Sequence, residues 1–254
     1  MKCIVNGLMT EYTQRGSGPV VVLLHGWGTD ASNMQQIAQG LGDQYTVVAV
    51  DLPGFGRSEQ PHEAWGVGDY ALYVNNLLKK LNIEQVYTLV GHSFGGRICI
   101  KAVSERIISP DKIVLIGSAG VKHSDNLRNS SYRLIAKSGK ALLSLPGLSR
   151  FSQAARKRLY AQAGASDYLQ AGGMKDIFQA TINEDLSQNA SNITIPALLI
   201  WGGNDDQAPI EDARFLKTAM PNASLKVIEA ASHFVHNEYP DKVNRWIKDF
   251  LDDK

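Results

Sequence analysis

The sequence predicts an α/β chain: a mostly parallel central sheet with flanking helices, interrupted by an inserted helical segment. Three observations predict it. Short apolar runs rich in β-branched residues alternate with longer segments of helical periodicity. The clearest of those runs, residues 20–24, is apolar throughout rather than alternating, as expected of a strand covered on both faces. The alternation stops between residues 120 and 192, where no β-rich run occurs and helix formers dominate.

In order, the chain opens with a hairpin, residues 2–5 and 8–14 flanking Asn6-Gly7, a dipeptide suited to a tight turn because both residues tolerate positive φ. The run Val20-Val-Val-Leu-Leu24 is the first core strand, and 45–50, 86–90, 112–116, 197–201 and 225–228 repeat its character. Between them, Tyr70, Val74, Leu77, Leu78 and Leu81 recur at helical spacing. Val243, Trp246, Ile247, Phe250 and Leu251 do the same near the C-terminus. The break in rhythm divides the chain into a core of 1–119 and 193–254 and a helical cap of 120–192, with helices expected at 132–145 and 152–162. The cap carries ten Lys/Arg against five Asp/Glu, which reads as a solvated helix face or as a lid that attracts anionic substrates.

Composition removes several function classes. The chain has 254 residues, 26 Lys+Arg against 25 Asp+Glu and 44% hydrophobic residues, so a sizeable core is available. A net charge of +1 with no basic run longer than Arg156-Lys-Arg158 leaves no electrostatic footprint for nucleic acid. Cys3 and Cys99 form no CxxC pair, which argues against a disulfide framework or structural zinc. No window reaches the roughly 18 apolar residues of a membrane span, and Asn6-Gly7 come too early for a signal peptide. These features lead us to expect a cytoplasmic monomer or homodimer acting on a small molecule.

The chemistry concentrates in Gly91-His-Ser-Phe-Gly95, a G-x-S-x-G pattern. By composition alone such a pattern arises in roughly one chain in ten of this length. Its setting between an apolar strand and a helix-compatible run is what a nucleophile elbow requires. A serine hydroxyl is a weak nucleophile and needs a base, oriented by a third group. Ile200-Trp-Gly-Gly-Asn-Asp-Asp-Gln-Ala-Pro209 can place a carboxylate from Asp205 or Asp206 after a strand. Glu229-Ala-Ala-Ser-His-Phe-Val-His236 can place an imidazole from His233 or His236 after the last one.

With His25-Gly-Trp-Gly28 and Asp51-Leu-Pro-Gly-Phe-Gly-Arg-Ser58, these segments make the sequence resemble the α/β-hydrolase family, specifically its capped esterase-like members, over nearly the whole chain. The resemblance implies the α/β-hydrolase fold, Ser93 as nucleophile, His233 as base and Asp205 as its orienting acid, through the spacing W-G-x-x-D-x-x-x-P and the first position of H-x-x-H. It implies an oxyanion hole made by the backbone N–H groups of Trp27 and Phe94, and no cofactor. Ser232 stands where the family often has glycine.

The implied reaction is hydrolysis of a small to medium carboxylic ester or lactone. Two alternatives are C–C bond hydrolysis of ring-cleavage products and a small-molecule receptor that retains the triad. C–C hydrolases usually carry G-N-S-M-G-G at the elbow, where this chain has His92 and Phe94.

Other segments read more simply as structure. The 51–58 segment is a turn, and His25 and His92 are hydrogen-bonding residues near the elbow. His233 and His236 lack a third metal ligand. Phe178, Leu186, Leu142, Leu143 and Leu145 fit either an acyl pocket or cap packing.

Overall fold

The computed structural model describes residues 1–42, 44–118, 120–121 and 172–253. Strands β1 (Lys2–Val5) and β2 (Leu8–Arg15) form the expected hairpin, with Asn6 at φ 50° and Gly7 at φ 83°. The core strands are β3 (Val20–Leu24), β4 (Thr46–Val50), β5 (Thr88–His92), β6 (Lys112–Ile116), β7 (Ala197–Gly202) and β8 (Ala223–Ile228). They join the hairpin in one eight-stranded sheet of order β1-β2-β4-β3-β5-β6-β7-β8. Only the β1–β2 and β2–β4 pairings are antiparallel.

Period-two alternation divides each of β3 to β7 between two apolar layers, whereas β8, at the sheet edge, leaves Ser224 and Lys226 exposed and is not covered on both faces as its sequence suggests. Val22 and Leu24 of β3, with Val48 and Val50 of β4, pack on one side with Tyr70, Val74 and Leu77 of α2 (Val67–Lys80) and Ile98 of α3 (Phe94–Ser104). Val21, Leu23, Val47 and Ala49 pack on the other, with Ile37 and Leu41 of α1 (Gln35–Leu41) and three residues of the C-terminal helix. Those three, Val243, Ile247 and Leu251, are fully covered, whereas Trp246 and Phe250 are half-buried, so the stripe is narrower than the periodicity suggests.

The expected strands appear with shifted ends. The strand read at 86–90 pairs from Thr88 to His92, because its register opposes Thr88 to Val21 and to Lys112. Leu81 caps α2 rather than lying within it.

The described part of the insertion is helical, with α4 (Lys175–Asn183) and α5 (Ser187–Ser191). The helices expected at 132–145 and 152–162, and Leu142, Leu143, Leu145 and the 156–158 basic patch, lie outside the described residues. The returning chain is tied to the outgoing one where the Leu186 N–H donates to the Gly120 carbonyl at 2.9 Å, and Lys101 of α3 pairs with Glu184 at 2.9 Å. Two more helices, α6 (Ile210–Ala219) and α7 (Val235–Glu238), precede the C-terminal α8 (Pro240–Asp252). No helix among the described residues is long and apolar enough to cross a membrane.

The end of α8 is capped by side chains from the sheet. Lys112 Nζ donates to the carbonyls of Phe250 (2.8 Å), Leu251 (3.1 Å) and Asp253 (2.5 Å), and the Tyr87 hydroxyl donates to Leu251. A cation on the terminal carbonyls also complements the helix dipole. Lys112→Met should therefore lower the unfolding free energy by about 1–2 kcal/mol in urea titration, with the m-value unchanged. An unaltered midpoint would show that water replaces the ammonium without loss.

Candidate active site

The loops that follow β3, β5, β6, β7 and β8 meet at the carboxyl edge of the parallel sheet. This is the edge where open α/β sheets place their ligands. Ser93 follows β5 directly and sits at φ 50°, ψ −109°, a conformation that costs a non-glycine residue on the order of 1–3 kcal/mol. Its N–H donates to the Ile116 carbonyl of β6 at 3.0 Å, which holds the strained turn against the sheet.

The turn is possible because its flanks are bare. A Cβ on Gly91 would lie 2.5 Å from the Gly95 backbone, and one on Gly95 would lie 2.2 Å from the Leu24 carbonyl oxygen. Phe94 is the first residue of α3, so its N–H has no acceptor within the helix and stands at the positive end of the dipole.

The structure brings His233 and Asp205 together. His233 Nδ1 lies 2.8 Å from Asp205 Oδ2, both side chains being almost wholly buried. A carboxylate can only accept, so Nδ1 carries the proton and Nε2 is left as the basic nitrogen. Asp205 Oδ1 accepts the N–H groups of Gln207 (2.9 Å) and Ala208 (2.8 Å), and the carboxylate is thereby fixed in the turn after β7. Asp206 is exposed. His236 is buried without a carboxylate partner; its Nε2 donates to Asn33 Oδ1 at 3.0 Å. Ser232 uses its side chain in a way glycine could not: its N–H (3.0 Å) and its hydroxyl both donate to Glu238, clamping the approach to His233 onto α7.

The loop after β3 is held by His25. Its Nδ1 donates to the Gly26 carbonyl at 2.7 Å and its Nε2 accepts the Leu52 N–H at 2.9 Å, which spans the β3 and β4 loops. Asp51 ties the same region down, accepting the N–H groups of Ala31 (2.8 Å) and Arg57 (2.9 Å). The 51–58 segment is thus a structural turn. Trp27 is half-buried and meets Phe55 (4.8 Å), Phe94 (5.3 Å) and Phe178 of α4 (4.9 Å) edge to face. Phe178 therefore stands beside the site, whereas Leu186, 1% exposed, belongs to the core.

His25, His92 and His236 share one electrostatic condition. Burial penalises their charged forms, lowering His25, taking His92 well below the usual imidazole range and bringing His236 down to about 4. The sequence motifs did not reveal Asn33, Glu238 or Gly117. The last sits under the pair, where a Cβ would come within 3.1 Å of Asp205 Oδ2 and 3.2 Å of His233 Nδ1. A glycine directly after a core strand was the only available signal. Among the described residues no group of three or more His, Cys, Asp or Glu side chains is arranged to hold a metal ion.

A family model described as alpha/beta hydrolase fold matches residues 19–240. The chain is 28% identical over 254 residues to the uncharacterized hydrolase YugF of Bacillus subtilis, covering 95% of this chain and 93% of the relative. It is 26% identical to 2-hydroxy-6-oxononadienedioate/2-hydroxy-6-oxononatrienedioate hydrolase 1 of Dechloromonas aromatica, covering 96% of this chain and 91% of that protein. The crystal structure of a membrane phospholipase A superposes with a TM-score of 0.78 at 26% identity, over 99% of this chain and 85% of that one. The family match takes in the strained Ser93 turn and the Asp205–His233 pair, and the chain belongs to the alpha/beta hydrolase family.

Proposed function

We propose that this alpha/beta hydrolase cleaves carboxylic esters or lactones of small to medium size through an acyl-enzyme on Ser93. The observation that carries the proposal is the buried Asp205–His233 hydrogen bond at 2.8 Å, at the same sheet edge as the strained Ser93 turn. It leaves one imidazole nitrogen free to act as a base. In this reading residues 120–192 are the cap segment.

In the first step His233 Nε2 takes the Ser93 proton while Oγ attacks the substrate carbonyl. The carbonyl π pair moves onto oxygen, and the oxyanion is held by the Phe94 and Trp27 N–H groups. Collapse expels the alkoxide, which leaves with the proton from His233. Water then attacks the acyl-enzyme, giving up a proton to His233, and collapse returns that proton to Ser93 and releases the carboxylic acid. Asp205 stays ionised, fixing the tautomer and stabilising the imidazolium.

C–C bond hydrolysis is the second reading. The Dechloromonas relative supports it by its name. The elbow residues His92 and Phe94, in place of the Asn and Met usual in such enzymes, weigh toward esters.

Stopped-flow hydrolysis of p-nitrophenyl esters from acetate to decanoate should show a chromophore burst followed by steady turnover, with the burst absent in Ser93→Ala. No reaction with any ester would shift the assignment to C–C hydrolysis or to ligand binding without turnover. Asp205→Asn should lower kcat by about 10³–10⁴-fold, while Asp206→Asn stays within about twofold of wild type. The reverse result would reassign the acid. The pH profile follows from the buried imidazoles. His25, His92 and His236 are shifted down, so each stays neutral as pH falls below the ordinary histidine range. One proton uptake then governs the acid limb, and log(kcat/KM) should fall on the acid side with a slope of one. A slope of two, or a flat profile, would overturn a single histidine base.

A further inference from the structure

We infer that His92 is a positioning residue: its ring is wedged between the Gly26-Trp27 loop and the backbone of His233, and so sets the base's loop relative to the oxyanion donors. This rests on the acyl-enzyme reading of Ser93, and it gives a role to a residue that the reaction itself does not use.

Each side of the ring meets a different loop. His92 ends β5, paired with Ile116 of β6 one residue before Ser93, so its backbone is fixed by the sheet. Nε2 donates to the His233 carbonyl at 3.1 Å. On the opposite edge, a Cβ placed on Gly26 would lie only 2.8 Å from Nδ1 and 3.2 Å from Cε1. Real Cβ contacts do not approach so closely, so the ring abuts the Gly26 α-carbon with no room for a side chain. The same hypothetical Cβ is 3.4 Å from the Ser93 Cβ, which places this loop beside the nucleophile. The ring also packs against the rings of His233 (centroids 4.8 Å apart), His236 (4.5 Å) and Phe234 (5.2 Å).

A second tie runs parallel to the first. His236 Nε2 donates to Asn33, in the short 3-10 turn Ala31–Met34 that follows the Gly26-Trp27 loop. Two imidazoles thus brace the His233 loop, one through the elbow and one through Asn33. Among the described residues, their remaining nitrogens, His92 Nδ1 and His236 Nδ1, are buried without a hydrogen-bond partner. A proton moved to His92 Nδ1 would face the Gly26 carbon instead of an acceptor, so the tautomer that donates to His233 is the one the packing allows. The titratable groups facing this pair are His25, His233 and Glu238; the imidazoles act in the same direction as burial, only Glu238 opposes it at His236, and both rings remain neutral spacers.

A buried histidine that served only as filler would affect stability alone. A positioning residue affects the chemical step, since a displacement of about 1 Å in a catalytic group costs up to about 100-fold in rate. The test compares kcat and KM for p-nitrophenyl butyrate with the second-order rate of Ser93 labelling by a fluorophosphonate, in wild type, His92→Phe, His92→Gln and Asn33→Ala.

His92→Phe should lower both kcat and the labelling rate by about 10–100-fold with KM within about twofold. His92→Gln, whose amide N–H reaches the place of Nε2, should recover to within about fivefold of wild type. Asn33→Ala, at a half-buried position, should give an intermediate loss. Wild-type kcat and labelling in folded His92→Phe, or a glutamine variant as impaired as phenylalanine, would overturn the inference. If His92→Phe does not fold, His92→Leu takes its place as the variant without a donor, and wild-type kcat and labelling in it would overturn the inference equally. A wild-type chain whose Ser93 labels but which turns over no ester refutes the ester assignment alone, and the labelling rates then decide the role of His92. A Ser93 that does not label refutes both.

Discussion

The site depends on how closely two backbones approach at the carboxyl edge of the sheet. Parallel pairing of β3 with β5 aligns Leu24 with Gly91, and the chain after each strand then turns toward the other. Gly95 lets the first turn of α3 lie directly on the Leu24 carbonyl, and Gly91 lets α3 fold back onto its own strand. Any side chain at either position would push the helix outward and release the strain at Ser93. That strain is offset by what the close approach buries. Ile98, Cys99 and Ile100 of α3 are wholly covered, and full burial of one such aliphatic side chain contributes about 1.5–3 kcal/mol.

A buried sheet edge that carries polar groups must satisfy them internally, since unpaired donors and acceptors in an apolar interior cost about 1–3 kcal/mol each. Here imidazoles do much of this work. His25, His92 and His236 each make at least one hydrogen bond to another loop; His25 uses both nitrogens, and the remaining nitrogens of His92 and His236 need only be neutral lone pairs. A lysine or arginine could not serve in these places, because its charge would have to be buried without a counter-ion beside His233. The carboxylate of Asp205 is the exception, and it is matched by two backbone N–H groups and the His233 ring.

Much of this was legible in the sequence. The places of the strands along the chain, the hairpin, the serine turn and the Asp205 and His233 loops follow from local signals: apolar runs, turn residues and fixed spacing after a strand. Asp205 rather than Asp206 follows from the family spacing W-G-x-x-D-x-x-x-P, and in the structure Gly202 and Gly203 let the chain pack tightly against 229–232 before the acid is reached. The missed features are pairings across sequence distance. Asn33 meets His236 across 203 residues, and no periodicity encodes that. The ends of β5 were misjudged because Val86 and Tyr87 are as apolar and β-prone as the strand itself. Only the register against its neighbours begins the ladder at Thr88. Phe178 and Leu186 share an apolar character and part company only in three dimensions, one beside Trp27 and the other beneath Gly120.

Trp27 joins substrate selection to the chemistry of the site. Its backbone N–H is an oxyanion donor in the proposed reaction, and its indole is held edge to face by Phe55, Phe94 and Phe178. Phe94 is at once the second donor and a wall of that aromatic set. Phe178 arrives from α4, the part of the insertion that returns to the core, where Lys101 and Glu184 and the Leu186–Gly120 hydrogen bond secure it. The insertion therefore touches the residue whose backbone would bind the oxyanion. Repacking Phe178 to fit a larger or smaller acyl group shifts the indole, and the rigid His25 and Gly26 contacts limit how far the loop can follow. In the proposed reaction, substrate size and oxyanion geometry would be coupled through this one side chain.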